Sequence, residues 1–480
     1  MGSPALIKTA ARLSLDPDRF FASDPTERRI ARTLYEAVAD YPILSPHGHT
    51  DPAWFAHNAA FENPTALFLS PDHYLYRMLY SQGVSLDSLG VRPNWSDPRP
   101  LDDPRAAWSE FARHYYLFAG TPSRQWMDHV FSTVFGLNER FDQNTADAFY
   151  DAIDAALKTD AFRPRALFER FRIGFLATTE GATDTLAEHQ AIRSSGWSGR
   201  VVTTYRPDSV VDPEHEQFDQ DLARFAALTG ESLDTFASYL RAHQTRRAYF
   251  RSFGATATDH GHPTARTANL SPTEAEKLYA QIRQKDRTPE ACELFRAQML
   301  TEMARMSLDD GMTLQIHAGA RRNHNRGLFK AYGRDKGADI PGPTEYVEAL
   351  RPMLDVFGNE PDLSIIVFTL DEAAYSRELA PLAGHYPCLR LGPAWWFHDS
   401  PEGMLRFREQ VTPIAGFYNT VGFNDDTRAF LSIPARHDMA RRLDARYLAR
   451  LVSEHRLDMT EAHTLIHDLT DTLPRSAYKI

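Results

Sequence analysis

The 480-residue sequence predicts an α/β protein, a (β/α)8 TIM barrel with a large helical insertion after its first strand. Three observations point there. Short apolar runs ending in a polar or charged cluster recur eight times. Each is followed by a helical stretch, the pattern of a parallel sheet covered by helices. One inter-run gap, the first, is far too long for a connecting loop.

The runs, in order, are Tyr41 to Ser45, Ile173 to Thr179, Val201 to Tyr205, Tyr249 to Thr256, Met312 to His317, Leu363 to Leu370, Cys388 to Trp396 and Thr420 to Asn424. The fourth is the poorest strand, because Arg251 and Ser252 interrupt it. The ~120 residues between the first two runs dwarf the usual 2–6-residue connection, so they must carry their own structure. They read as helices with aromatic faces over Asp72 to Gln82, Arg105 to Phe118, Ser123 to Phe135 and Thr145 to Lys158, with Gly83, Gly120 and Gly136 as stops. Residues 1–53 and 165–480 are therefore assigned to the barrel and 54–164 to an inserted subdomain that emerges at the catalytic face and roofs it. A second helical excursion, Pro213 to Arg247, separates runs three and four.

Composition limits the function. A formal charge of -11, from 64 acidic against 53 basic residues, argues against a nucleic-acid footprint, which rewards clustered positive charge. No stretch approaches the ~20 apolar residues of a membrane span, and the N-terminal segment lacks the apolar core of a signal peptide. Two cysteines, Cys292 and Cys388, can build neither a disulfide framework nor a thiolate metal cage, which suits a cytoplasmic protein. Exposed aromatic residues in the insertion suggest a homo-oligomer.

Directly after run one stands Ser45-Pro46-His47-Gly48-His49-Thr50-Asp51-Pro52. In extended chain, residues i and i+2 point the same way, so His47 and His49 can present imidazoles to one ion, with Gly48 letting the backbone pass close. Two ordinary loop histidines are the alternative, but the end of a first barrel strand favours a metal. A rival His-x-His, His260 and His262, follows run four; Pro263 and a poorer strand make it more readily site wall or turn. Closing a barrel sets its last strand beside its first, so Asp425 and Asp426 after run eight fall next to the first pair despite lying near the far end of the chain. Two histidines and a carboxylate leave open positions, as catalytic rather than structural metal sites do.

Four further addresses stand out. His317, ending run five, serves as a fourth ligand, a general acid or base, or a core histidine. Arg206, ending run three, is either a fork for a carboxylate or a structural ion pair, and Arg428 carries the same ambiguity beside Asp426. His73 and Tyr74 open the first inserted helix, where aromatic residues more often pack than react. Trp395 and Trp396 end run seven and read as wall or packing.

Taken together, SPHGHTDP (45–52), DHYLYR (72–77), TTYRPD (203–208), ATDHG (257–261), LQIHAGARRNHN (314–325), AWWF (394–397) and NDDTRAFLSIPARHD (424–438) resemble uronate isomerase (glucuronate isomerase), a family of the amidohydrolase superfamily. The likeness runs over nearly the whole chain. It implies conversion of D-glucuronate to D-fructuronate and of D-galacturonate to D-tagaturonate. His47, His49 and Asp426 match the ligands of one divalent metal ion, expected to be zinc. Arg206, Arg428, His73 and Tyr74 match residues that hold or process the substrate, His317 matches the strand-five histidine, and Trp395 and Trp396 would wall the sugar. Run six ends in Thr369-Leu370-Asp371, without the histidine of binuclear relatives in the superfamily, and no strand-four lysine offers a bridging carbamate, so a single ion is expected. The reaction needs a base at C2 and a donor or cation at O1/O2. Asp426, or a hydroxide on the ion it helps hold, is the expected base; Tyr74 would move protons at the oxygens, His317 or His73 would polarise the carbonyl, and Arg206 and Arg428 would anchor the substrate. The alternative reading is a mononuclear metal-dependent hydrolase or decarboxylase on the same barrel. A sugar-acid binding protein without turnover is a weaker rival, since binding alone calls for no such triad.

Overall fold

The computed structural model describes residues 12–94 and 103–480; most of the N-terminal stretch read for a signal peptide lies outside them. The strands are β1 (Ile43–Ser45), β2 (Ile173–Ala177), β3 (Glu180–Gly181), β4 (Val201–Val202), β5 (Tyr205–Arg206), β6 (Ala257–His260), β7 (Thr313–His317), β8 (Ala320–Arg321), β9 (Ile340–Pro341), β10 (Ile365–Phe368) and β11 (Leu389–Leu391). β2 leads through two residues into β3, as does β4 into β5, so each couple is one interrupted strand. Every pairing is parallel except the β8–β9 ribbon. Joined at those couples, the two main sheets run in chain order, β1, β2/β3, β4/β5, β6, β7, β10, β11. Leu391 then bridges in parallel to Thr420, and the His49 N–H donates to the Thr427 carbonyl at 3.1 Å, tying the last run back to the first. This is a TIM-barrel-like α/β fold.

Alternation along the strands explains how both faces are buried. Ile365 and Val367 of β10 pack with Leu314 and Ile316 of β7 against the surrounding helices, whereas Ile366 and Phe368 point the other way, into an inner cluster with Trp395 and Val421. Leu44, Phe175, Ala177 and Val202 form a second inner cluster.

Two of the eight runs differ from expectation. Tyr249 to Thr256 is no strand: its first residues end the helix Phe236–Ser252, whose buried Phe236, Tyr239, His243, Arg247 and Phe250 follow a helical period, and the fourth strand is β6, immediately after. Among the described residues Thr420 to Asn424 makes only the bridge at Thr420, because Gly422 within it takes a positive φ of 76° that breaks an extended run.

Between β1 and β2 the chain forms helices at 52–57, 64–68, 73–81, 104–113, 122–129, 146–157 and 164–170 with shorter turns between them. The four expected inserted helices are present; the second continues as a tight turn at Tyr115–Phe118 and the third as a wider one at Val130–Val134. Gly83, Gly120 and Gly136 end their elements at φ of 82°, 78° and 69°, values that glycine adopts without steric cost. The aromatic faces interlock in one cluster, in which Trp108 meets Phe68, Phe111, Phe131 and Phe141. Among the described residues no helix is long and apolar enough to cross a membrane.

Candidate active site

The strand ends converge on a cavity of about 1180 Å³. His47, His49, His73, Tyr74, Arg206, His317, Trp395, Trp396, Asp426 and Arg428, every residue singled out for chemistry or binding in the expected reaction, line it.

His47 and His49 reach it from the segment directly after β1, which bends at His47. Their Nε2 atoms lie 3.5 and 3.1 Å from one oxygen, Asp426 Oδ1. Donors bonded to one tetrahedral ion at about 2.0–2.1 Å stand ~3.3 Å apart, so the spacing fits a cation. Burial pushes both imidazoles below their ordinary value, with Asp426 opposing. Burial alone would raise the Asp426 carboxyl, but His47 and His49 hold it far below its usual range. Neutral imidazoles and an ionised carboxylate are the protonation states that ligation requires. Trp395 Nε1 donates to the other oxygen, Asp426 Oδ2, fixing the carboxylate's plane. Asp426 holds its left-handed backbone at φ 37°, a cost the surrounding contacts must offset. Its neighbour Asp425 turns away to His437 Nε2 at 3.0 Å, so Asp426 alone faces the histidines. Gly48 is not needed for a close pass: a Cβ there would stand 3.6 Å from its nearest neighbours, an ordinary contact.

His317, on the inward face of β7, is ordered on both sides. Its Nδ1 meets Asp259 Oδ1 at 2.7 Å, and its ring stacks between His47 and Phe368 at 4.6 and 4.0 Å. Its Nε2 is buried without a hydrogen-bond partner. Burial would push the Asp259 carboxyl up, but Arg206 and His317 hold it well below the carboxylate range. Asp259 went unassigned in the sequence because the fourth strand was placed one segment too early; shifted to β6, it falls opposite Gln315 and one strand from His317.

His73 and Tyr74 are positioned by Asp72, which caps their helix by accepting from the Tyr74 and Leu75 N–H groups at 2.9 and 3.3 Å. Tyr74 Oη donates to Asp399 Oδ2 at 2.8 Å, and the buried Arg436 donates to the same oxygen at 2.9 Å while covering the Trp126 ring. Burial and then Asp399 raise the Tyr74 phenol well above its ordinary value, so it keeps its proton. His73, pushed down to about 3 by burial and then by Arg428, is neutral; it packs edge-on to Trp396 at 5.4 Å. Asp399 carries no local motif and Arg436, though inside the 424–438 segment, carries no assigned role there; only the fold brings both to Tyr74.

The two arginines are less free than a bare fork. Arg206 Nε donates to Asp208 Oδ2 at 2.8 Å and its Nη1 lies 3.1 Å from Asp259 Oδ2, so two carboxylates share one guanidinium. The ion-pair reading of Arg206 is present in the structure, and the same residue lines the cavity. Arg428, about a third exposed, pairs with Asp335 at 3.1 Å.

The comparisons agree with this geometry. Residues 18–473 match a family model described as glucuronate isomerase. A uronate isomerase of Xanthomonas axonopodis pv. citri (strain 306) is 64% identical over 468 residues, 98% of this chain and 99% of that protein. One of Phenylobacterium zucineum (strain HLK1) is 64% identical over 468 residues, 98% of this chain and 97% of that protein. The crystal structure of glucuronate isomerase from Caulobacter crescentus superposes with a TM-score of 0.96 at 63% identity, covering 98% of this chain and 97% of that one. A uronate isomerase structure from Thermotoga maritima shares the fold at TM-score 0.89 and 23% identity, covering 97% of this chain and 99% of that one.

Proposed function

This chain belongs to the glucuronate isomerase family, and from that premise we propose that it interconverts D-glucuronate with D-fructuronate and D-galacturonate with D-tagaturonate through an enediol. The observation that carries the reading is the convergence of His47, His49 and Asp426 on one point of a cavity walled by arginines and tryptophans.

His47, His49 and Asp426 would hold one divalent ion, and zinc suits two imidazoles and a carboxylate. When bound, such an ion supplies Lewis-acid stabilisation of charge developing at O1 and O2. The chain's own groups handle binding and protons. Arg428 and Arg206 face the uronate carboxylate and hydroxyls, and Trp395 and Trp396 close the wall. Both oxygens of Asp426 are already engaged, which lowers its basicity. His317 is better prepared to take a proton: Asp259 accepts from its Nδ1–H, leaving the Nε2 lone pair free. Tyr74, protonated and aimed by Asp399, donates at the substrate oxygens. His73, neutral, polarises the carbonyl by hydrogen bonding rather than by charge.

The same reading places residues 54–164 as a subdomain roofing the barrel of 1–53 and 165–480, since His73 and Tyr74 reach the cavity from it. It places the protein in the cytoplasm, with Cys292 and Cys388 buried and free, and in a homo-oligomer, with Tyr80 and Tyr116 exposed. Incubation of the metal-loaded protein with D-glucuronate in deuterium oxide tests the activity. Formation of the ketose, with solvent deuterium in it where the proton exchanges, is the expected result; an unchanged uronate pool would overturn it.

A further inference from the structure

We propose a second divalent-cation site, built by Asp208, His260 and His262, beside the cavity and separate from the His47, His49 and Asp426 group. One ligand atom from each of these three residues lies within 4.8 Å of the others. Donors on one tetrahedral zinc ion stand ~3.3 Å apart, so closing the set takes side-chain shifts of up to about 1.5 Å. Three imidazole nitrogens there are buried with no hydrogen-bond partner among the described residues: His260 Nδ1 and both Nδ1 and Nε2 of His262. Such groups are uncommon in folded proteins, and an ion or an ordered water is what usually satisfies them. His260 is oriented by its Nε2, 3.1 Å from Thr258 Oγ1, and the two rings stand 5.8 Å apart and nearly perpendicular.

Asp208 is prepared for a one-oxygen ligand. Its Oδ2 accepts from Arg206 Nε at 2.8 Å, while Oδ1 accepts, among the described residues, just the Gly261 N–H, at 3.2 Å. Gly261 is the residue that permits this approach, since a Cβ there would lie 2.3 Å from Arg206 Nη2 and 2.9 Å from Asp208 Oδ2. Of the nearby charges, Arg296 is already paired with Asp212, Glu214 and Glu293, so Arg206 is the cation that would repel an incoming ion. Two imidazoles select a borderline transition ion such as zinc or cobalt over magnesium or calcium.

The ion would have a use. Arg206 with Asp208 and Asp259 forms a net-negative trio on the wall facing an anionic substrate. A divalent cation on Asp208 makes that wall net positive and ties the segment after β5 to the loop after β6. This role rests on the uronate reading; the site itself does not.

Apoprotein prepared with chelator is titrated with zinc, and with cobalt for its visible spectrum; bound metal is counted per chain in wild type, His47→Asn/His49→Asn and His262→Gln. Two ions in wild type and one in each variant is the expected result. One ion retained in His47→Asn/His49→Asn and absent from His262→Gln supports this site even if the first fails. No ion in His47→Asn/His49→Asn, or two in His262→Gln, overturns it. The His47→Asn/His49→Asn protein carries the second cluster intact, so the result does not depend on the fold of His262→Gln.

Discussion

Replacing Asp399 by asparagine keeps the side chain's shape and removes one charge from a buried network. Arg436 is 2% exposed, and Asp399 is its one carboxylate ion-pair partner among the described residues. After the change, its guanidinium keeps hydrogen bonds to Ser432 Oγ at 3.1 Å and the Asp425 carbonyl at 3.3 Å and its stacking on Trp126. Removing one partner of a buried ion pair costs about 3–5 kcal/mol. The surviving acceptors and the negative charges of Asp72 and Asp425 offset part of that, leaving ~2–3 kcal/mol, which denaturant unfolding of wild type and Asp399→Asn measures directly. Tyr74 simultaneously exchanges a charged acceptor for a neutral one. Misplacing a reacting group by about 1 Å costs up to 100-fold in rate, so kcat should fall by ~10-fold or more. Because Asp399 acts through Tyr74, Tyr74→Phe/Asp399→Asn should turn over no more slowly than Tyr74→Phe alone. A stability loss under ~1 kcal/mol together with additive rate losses would refute the reasoning.

Other expectations follow from the same geometry. Arg206→Lys loses the planar fork that Asp208 and Asp259 share and should raise KM for D-glucuronate roughly tenfold with a smaller change in kcat; an unchanged KM removes Arg206 from substrate anchoring. Glu180 is buried against the Thr203 hydroxyl, and burial pushes its carboxyl up to about 8. The folded state therefore holds a proton that the unfolded chain releases near its ordinary value of 4.5, and stability falls as pH rises from there to about 8. Glu180→Gln should match wild type near pH 4 and exceed it above pH 8, by at most roughly 5 kcal/mol; thermal unfolding across that range checks it, and parallel curves would contradict it. Zinc at about a hundredfold over its Kd should stabilise the apoprotein by ~2.7 kcal/mol per occupied site, read as a rise in Tm that His47→Asn/His49→Asn diminishes.

Much of this was legible in the sequence because parallel strands buried on both faces leave continuous apolar runs, and residues two apart on such a strand share a face. That periodicity carried His47 and His49, and it put His317 on an inward strand position. Closure of the ring was legible only through the fold class, yet it correctly set Asp426 beside residues near the other end of the chain. The fourth strand was misplaced because Tyr249 and Phe250 satisfy a helix's buried stripe as well as a strand's, and a short apolar run does not separate the two. That shift hid Asp259. Asp399 is hidden for a different reason: it is an ordinary charged residue in its local context, and Arg436, although inside the 424–438 segment, gains its role only where tertiary packing brings both to Tyr74.

The central claim is that His47, His49 and Asp426 share one ion. Anomalous diffraction at the zinc edge, from crystals grown with zinc, tests it most directly. A peak is expected about 2 Å from His47 Nε2, His49 Nε2 and Asp426 Oδ1; density at that point without a zinc signal, or zinc held there by other residues, would show that the three do not share an ion.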